Sequence, residues 1–249
     1  NFPSVYRRLL RMYITYTDSN PPDLNPNYHF HLYYHPPSPD NDSYASPSDH
    51  NHKTTFAGVI GAAIGGGNTV GIAPGADITG FRIGFGSGGS GQIDTQMQNM
   101  ATVDVANNSW GYGGFFIDNF LDSFFAASAN AIRNAVATGR NGLGTIITFS
   151  SGNSRQDGQN VNYHSFGNSQ HTIAVGAIDI TGAIASFSTP GASVLVSAPG
   201  VNIYTTDRLG SAGYSGGDYT TINGTSFSSP AVAAVTALIL EANPDLGYR

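Results

Sequence analysis

The apolar residues of this chain come in short blocks divided by glycine, proline, asparagine and serine, and one block, residues 231–240, is longer than the rest. It carries no charge before Glu241, so it predicts a helix buried on nearly every side. Ahead of it stand Asn223, Gly224, Thr225, Ser226, Phe227, Ser228, Ser229 and Pro230, small polar residues whose glycine suits a tight turn. Pro230 is expected in the first helical turn, where its missing N–H costs nothing. Residues 51–63 place Phe56, Val59 and Ala63 on one face, with Ala57 and Gly58 small enough for close packing. They predict a second helix, with His52 in its first turn, ended by 65–68.

Strands are predicted at 12–17, 78–83, 103–107, 145–149, 172–175 and 194–196, a flexible turn at 86–91, a short helix at 93–100 and a long one at 119–138. Several strands are apolar on both faces, which requires a mostly parallel central sheet covered on both sides, an α/β fold with helices on both faces. Residues 25–50, rich in Pro, Asn, Asp, His and Tyr without a period, predict a long ordered loop. Residues 2–11 fit no element. No repeat or linker divides the chain, and 249 residues suffice for one large core.

Charged residues are only 10% of the chain, and Lys53 and Glu241 are the sole lysine and glutamate, so solubility rests on Asn, Ser, Thr and Asp. A net charge of -6 with no basic run argues against a nucleic-acid partner. No uninterrupted apolar run reaches the length of a bilayer span, and no signal peptide opens the sequence. With no cysteine, an extracellular chain would need packing or bound ions in place of disulfides.

Ser226 would sit at the positive end of a rigid buried helix, where a base could activate it and free N–H groups could face an oxyanion. On its own, the segment suits a Ser/Thr cap on a core helix equally well. Asn153, after the strand at 145–149 and the turn Ser150, Ser151, Gly152, suits a turn residue as well as a hydrogen-bond donor. His29, His31, His35 and His50 fall in the predicted loop, with spacing that fits no tight metal pattern.

Taken together these segments resemble a family. Gly224 to Pro230 resembles the serine motif of the subtilisin-like serine proteases. His52-Lys53-Thr54-Thr55-Phe56-Ala57-Gly58 is similar to their histidine motif, with Lys53 and Thr55 replacing the usual Gly and second His. Ser150-Ser151-Gly152-Asn153 resembles their oxyanion segment, and Asn108-Ser109-Trp110-Gly111 a substrate-binding edge most like that of the kexin-like branch. The match runs over roughly 12–245. The resemblance implies a single catalytic domain over 1–249, open to truncation at its C-terminus. It also implies a secreted, monomeric serine endopeptidase acting on protein or peptide substrates, with a cleaved inhibitory propeptide as a further partner. Ser226 would be the nucleophile, His52 the base and Asn153 the oxyanion donor. Substrate would lie along Ser109, Trp110 and Gly111, with the P1 pocket between that edge and Ser150, Ser151 and Gly152.

The acid of the triad is where the pattern breaks. Counting back nine residues from Asp23 puts Ile14 at the family's aspartate position, whereas a gapped match puts Asp18 there. Asp18 is the expected orienter of His52, and a substituted Ile14 would leave a catalytically silent, peptide-binding scaffold as the alternative. Where the kexin-like branch carries acidic groups to hold a P1 arginine, this chain has Gly114 and His164, with Gln159 and Thr189 in place of the associated calcium ligands. An apolar P1 preference follows, with Tyr163, Phe166 and Trp110 as pocket or core. Asp23 matches a ligand of the family's structural calcium, completed by the loop 65–70, so Ca²⁺ is the expected ion.

Overall fold

The computed structural model describes residues 11–14, 51–65, 67–81 and 89–249. Its centre is a six-stranded sheet, parallel at every pairing, of β1 (Arg11–Ile14), β2 (Asp77–Gly80), β3 (Val105–Asn108), β4 (Ile146–Ser150), β5 (Ile173–Ile178) and β6 (Val194–Pro199). The order across the sheet is β2-β1-β3-β4-β5-β6. The winding direction therefore reverses between β1 and β3, and in open α/β sheets such a switch point, at the carboxyl ends of the strands, is where ligands bind.

Alternation along the strands sends neighbouring side chains to opposite layers. Val105 and Ile146 join a core with Phe56, Ala57 and Ile60 of α1 (Asn51–Gly61) and Phe227, Ala233, Ala234, Ala237 and Leu240 of α5 (Thr225–Ala242). Ala106, Ile147 and Phe149 join a second core with Ile93 and Met97 of α2 (Gly89–Gln98) and Ile132, Ala135 and Val136 of α3 (Ala126–Thr138). The sheet is thus covered on both faces, as its apolar strands require. Each fully buried Phe, among them Phe56, Phe149 and Phe227, contributes about 1.5–3 kcal/mol relative to exposure. A fourth helix, α4 (Ser165–Asn168), is a single turn. Outside the sheet, β7 (Ile203–Thr206) and β8 (Tyr219–Ile222) form an antiparallel hairpin.

Several expectations change. The helix expected over 119–138 starts only at Ala126. Asn119 and Asp122 turn their carboxamide and carboxylate oxygens onto the N–H groups of Leu121 and Phe124, which holds 119–125 in turns. Helix α2 begins at Gly89, inside the expected turn. Pro230 is not in the first turn but is the sixth residue of α5. Its missing N–H would have served the Ser226 carbonyl one turn back, so the proline does leave an orphan acceptor. Contrary to expectation, α5 is long and apolar enough, by length and composition alone, to cross a membrane. The threonines and serines among its apolar residues hide this from a search for unbroken apolar runs, and the helix is mostly buried inside the protein.

Candidate active site

Gly224 opens α5 with φ +151° and ψ 152°, and a Cβ there would come within 3.4 Å of both Asn153 Nδ2 and the Phe227 ring. Glycine is what permits this positive φ. The Gly224 N–H donates to the Gly200 carbonyl (2.8 Å), tying the turn to the residue after β6. Ser226, next but one, is 5% exposed in the helix's first turn, where the macrodipole is positive.

His52 lies in the first turn of α1. Its imidazole meets Phe56 and Phe227 edge-on, with ring centroids 5.8 Å and 5.7 Å away. Phe227 adjoins Ser226, so the structure brings the histidine and serine motifs together. The residue that replaces the second histidine braces the turn carrying His52, because Thr55 Oγ1 donates to the His52 carbonyl (2.6 Å). The hairpin closes over the same turn, with Thr205 Oγ1 donating to the Thr55 carbonyl (2.7 Å) and Thr206 Oγ1 to the Thr54 carbonyl (2.9 Å).

Asn153 follows β4 and is aimed by Thr225. Its Oδ1 accepts from the Thr225 N–H and from Thr225 Oγ1, both at 2.9 Å. A backbone N–H can only donate, so the amide orientation is fixed and Nδ2 is left on the side of Gly224. Thr225 Oγ1 also accepts the Gly152 N–H (3.2 Å), and Gly152 holds φ +99°. Ser150 closes β4, and the Ser151 N–H donates to the Val175 carbonyl (2.9 Å). The Ser151 hydroxyl is buried with no hydrogen-bond partner among the described residues.

The opposite edge is built from the end of β3. Ser109 Oγ donates to the Ser226 carbonyl (3.0 Å) and lies 3.1 Å from Asn107 Nδ2. The Trp110 indole N–H donates to Asn108 Oδ1 (3.1 Å), and its ring packs edge-on against Phe149 and Phe166. A Cβ on Gly111 would meet nothing within 4 Å, so the edge is open there. Phe166 belongs to the core, at 2% exposure, which resolves its two readings. His164 is held through both ring nitrogens: Nδ1 pairs with Asp118 Oδ1 at 2.6 Å and Nε2 with Gln159 Oε1 at 3.1 Å. Asp118, itself buried, also accepts the Phe166 N–H (3.3 Å). A carboxylate thus stands beside His164 where none was expected.

The model of the family described as "Subtilase family" matches residues 15–249. The chain belongs to the subtilase family. A dibasic-processing endoprotease of Schizosaccharomyces pombe is 34% identical over 219 residues, 84% of this chain and 30% of its own length. Subtilisin DY of Bacillus licheniformis is 33% identical over 202 residues, 78% of this chain and 65% of its own. The chain therefore spans less than two thirds of either relative. Among solved structures, the serine protease of Aeromonas sobria in complex with its chaperone superposes with a TM-score of 0.82 at 19% identity, over 96% of this chain and 48% of that one. That likeness carries the fold alone.

Of the residues expected in this subtilase's site, Ser226, His52, Asn153, Ser109, Trp110, Gly111, Ser150, Ser151 and Gly152 all lie at or beyond the carboxyl ends of β3 and β4 or in the first turns of α1 and α5. Ile14 is the last residue of β1, in register with Gly80 and Asn107. Asp18 and Asp23 lie outside the described residues. Among the described residues no three acidic, His or Cys side chains converge on a metal site. The sequence reading missed Asn107, Asp118 and Thr225. A buried asparagine at a strand end and a threonine ahead of the serine look like ordinary strand and cap residues until the contacts are known.

Proposed function

We propose that this subtilase domain is a serine endopeptidase, and the observation that carries the reading is the clamp of Asn153 by Thr225 beside Ser226. Ser226 Oγ attacks the scissile carbonyl, and His52 takes its proton and returns it to the leaving amine. Asn153 Nδ2 and the Ser226 backbone N–H receive the oxyanion. The extended substrate lies along Ser109, Trp110 and Gly111, which offers affinity through backbone pairing. Asp18 is our assignment for the orienter of His52. An authentic Ile14, shown by mass spectrometry of the peptide after Arg11, together with experimental density placing Asp18 away from the imidazole, would remove it. The test of activity is labelling by a fluorophosphonate, together with casein hydrolysis that disappears in Ser226→Ala. Folded chain that neither labels nor hydrolyses would defeat the reading.

P1 preference is for apolar or aromatic residues. The Asp118 carboxylate is engaged by His164 and the Phe166 N–H, so it is not presented to a substrate cation. Calcium is proposed at Asp23 with the loop 65–70. The described part of that loop offers only backbone carbonyls and the Asn68 and Thr69 side-chain oxygens, donors that suit a hard cation. The ion would tie down a surface segment in a chain without disulfides. Membership of the subtilase family is the support for a secreted, monomeric domain over 1–249 with an inhibitory propeptide as partner; an intracellular pool or a stable dimer on sizing would contradict this.

A second reading is favoured by Ile14 at the end of β1, the family's acid position. It makes the domain a peptide-binding scaffold without turnover. Hydrolysis abolished by Ser226→Ala would sink it.

A further inference from the structure

The carbonyl of Ser226 has no N–H donor at the usual position of its own helix, because the residue four positions on is Pro230. Its partner comes from another element: Ser109 Oγ, 3.0 Å away. Both groups are buried, Ser109 at 6% and Ser226 at 5% exposure. A serine hydroxyl has one proton, and a carbonyl can only accept, so that proton is committed to Ser226. The contact between Ser109 Oγ and Asn107 Nδ2 at 3.1 Å must then run from the amide to the hydroxyl. This orientation turns Asn107 Oδ1 toward α5, where Ser229 Oγ donates to it at 2.8 Å, with Thr148 Oγ1 at 3.3 Å. Asn107 itself is fully buried.

We propose that Asn107 and Ser109 are positioning residues for the nucleophile, holding the first turns of α5 against the ends of β3 and β4 through the carbonyl that Pro230 leaves free. The chain of donors has one direction: amide to hydroxyl to the Ser226 carbonyl. It grips α5 at two points one turn apart, Ser226 and Ser229, so it fixes both the depth and the rotation of the helix at the serine. In a site where a misplacement of about 1 Å can cost about 10²-fold, such a grip bears on turnover. The inference rests on Ser226 being the nucleophile and gives Ser109 a role beyond the substrate edge.

The test uses Ser109→Ala, Ser109→Thr, the double variant Ser109→Ala with Pro230→Ala, and Asn107→Asp in the full chain. Asn107→Asp draws the Ser109 proton to the new carboxylate and away from Ser226. Pro230→Ala returns a backbone N–H to the orphan carbonyl. Ser109→Ala and Asn107→Asp should lower kcat and the fluorophosphonate labelling rate by about tenfold, with KM within about twofold. Ser109→Thr, which keeps the hydroxyl, should stay within about threefold of wild type, and Pro230→Ala should recover most of the loss in the double variant. Amide exchange over residues 225–234 should accelerate in Ser109→Ala and slow again in the double variant. A Ser109→Ala effect confined to KM, or one that Pro230→Ala does not recover, would overturn the proposal. A wild-type chain without hydrolysis or labelling would end the protease reading alone; the exchange comparison would then decide the positioning role, and unchanged exchange in Ser109→Ala would overturn it.

Discussion

Replacing Asn153 by Asp separates two functions of one side chain. The variant keeps an oxygen where the Thr225 N–H and Oγ1 are received, each at 2.9 Å, and replaces the Nδ2 donor beside Gly224 by a second acceptor. The anchor survives and the donor does not. In subtilisin, loss of one such donor costs about 10²–10³ in kcat, about 2.7–4 kcal/mol, and the added negative charge pushes the expected loss toward the upper end. Thr225→Val is the complementary change. It removes the hydroxyl that receives the Gly152 N–H at 3.2 Å and donates to Asn153, leaving only the backbone bond. Of the two bonds lost, the one to Asn153 Oδ1 bears on the oxyanion donor, and one net hydrogen bond is worth about 0.5–1.5 kcal/mol, so kcat should fall by about two- to twelvefold. Both effects belong to the transition state, so KM should stay within about threefold. Steady-state hydrolysis of a peptide p-nitroanilide, with near-UV circular dichroism to verify folding, gives both constants. An Asn153→Asp enzyme that keeps more than about a third of wild-type kcat, or a Thr225→Val enzyme more damaged than Asn153→Asp, would refute Nδ2 as the oxyanion donor.

Ser151→Ala removes a buried hydroxyl with no partner among the described residues and should raise unfolding free energy by up to about 1 kcal/mol; a clear loss in urea melts would mean the hydroxyl is engaged. His171 is held below its ordinary pKa of 6.5, first by burial and then by Arg249 and Arg133. The unfolded chain therefore binds more protons just below pH 6.5, and stability should rise with pH through that window. His171→Gln should flatten the rise, and an unchanged pH profile of melting would contradict the assignment. Excess chelator should lower Tm more than it alters initial rates, because the proposed ion would tie down a loop and take no part in the acyl transfer; an unchanged Tm would argue against an exchangeable Ca²⁺. Cleavage of a peptide library should favour apolar or aromatic P1, and a strong Arg or Lys preference would show that Asp118 does reach the substrate.

The layers of this fold were legible because its strands are apolar on both faces, and only a parallel sheet wrapped by helices hides such strands. The helix behind Ser226 and the helix carrying His52 were legible for a similar reason, since small residues beside a serine and a histidine mark close crossings. What stayed hidden were polar contacts between segments far apart in sequence. Pro230 looked harmless until the start of α5 at Thr225 put it opposite the Ser226 carbonyl. Asp118 is 46 residues from His164, and no local pattern pairs them. Strands β7 and β8 are short and separated by 207–218, so neither shows a period long enough to be recognised.

That hairpin ties the two halves of the proposed reactive pair into one part. Its first strand grips the carbonyls of Thr54 and Thr55, so closely that a Cβ on Gly58 would fall 2.2 Å from Thr206 Oγ1. Its second strand ends at Ile222, two residues before the glycine that opens α5. The spacing of His52 and Ser226 is thus inherited through 203–226 as a unit, and grafting α5 into another scaffold without its hairpin would carry the serine but lose its histidine. Among the described residues, the hydrogen bonds that make this joinery involve none from β1. A lineage that lost its acid there would keep the outline of an enzyme long after turnover had gone, and resemblance of shape would be a poor witness to its activity.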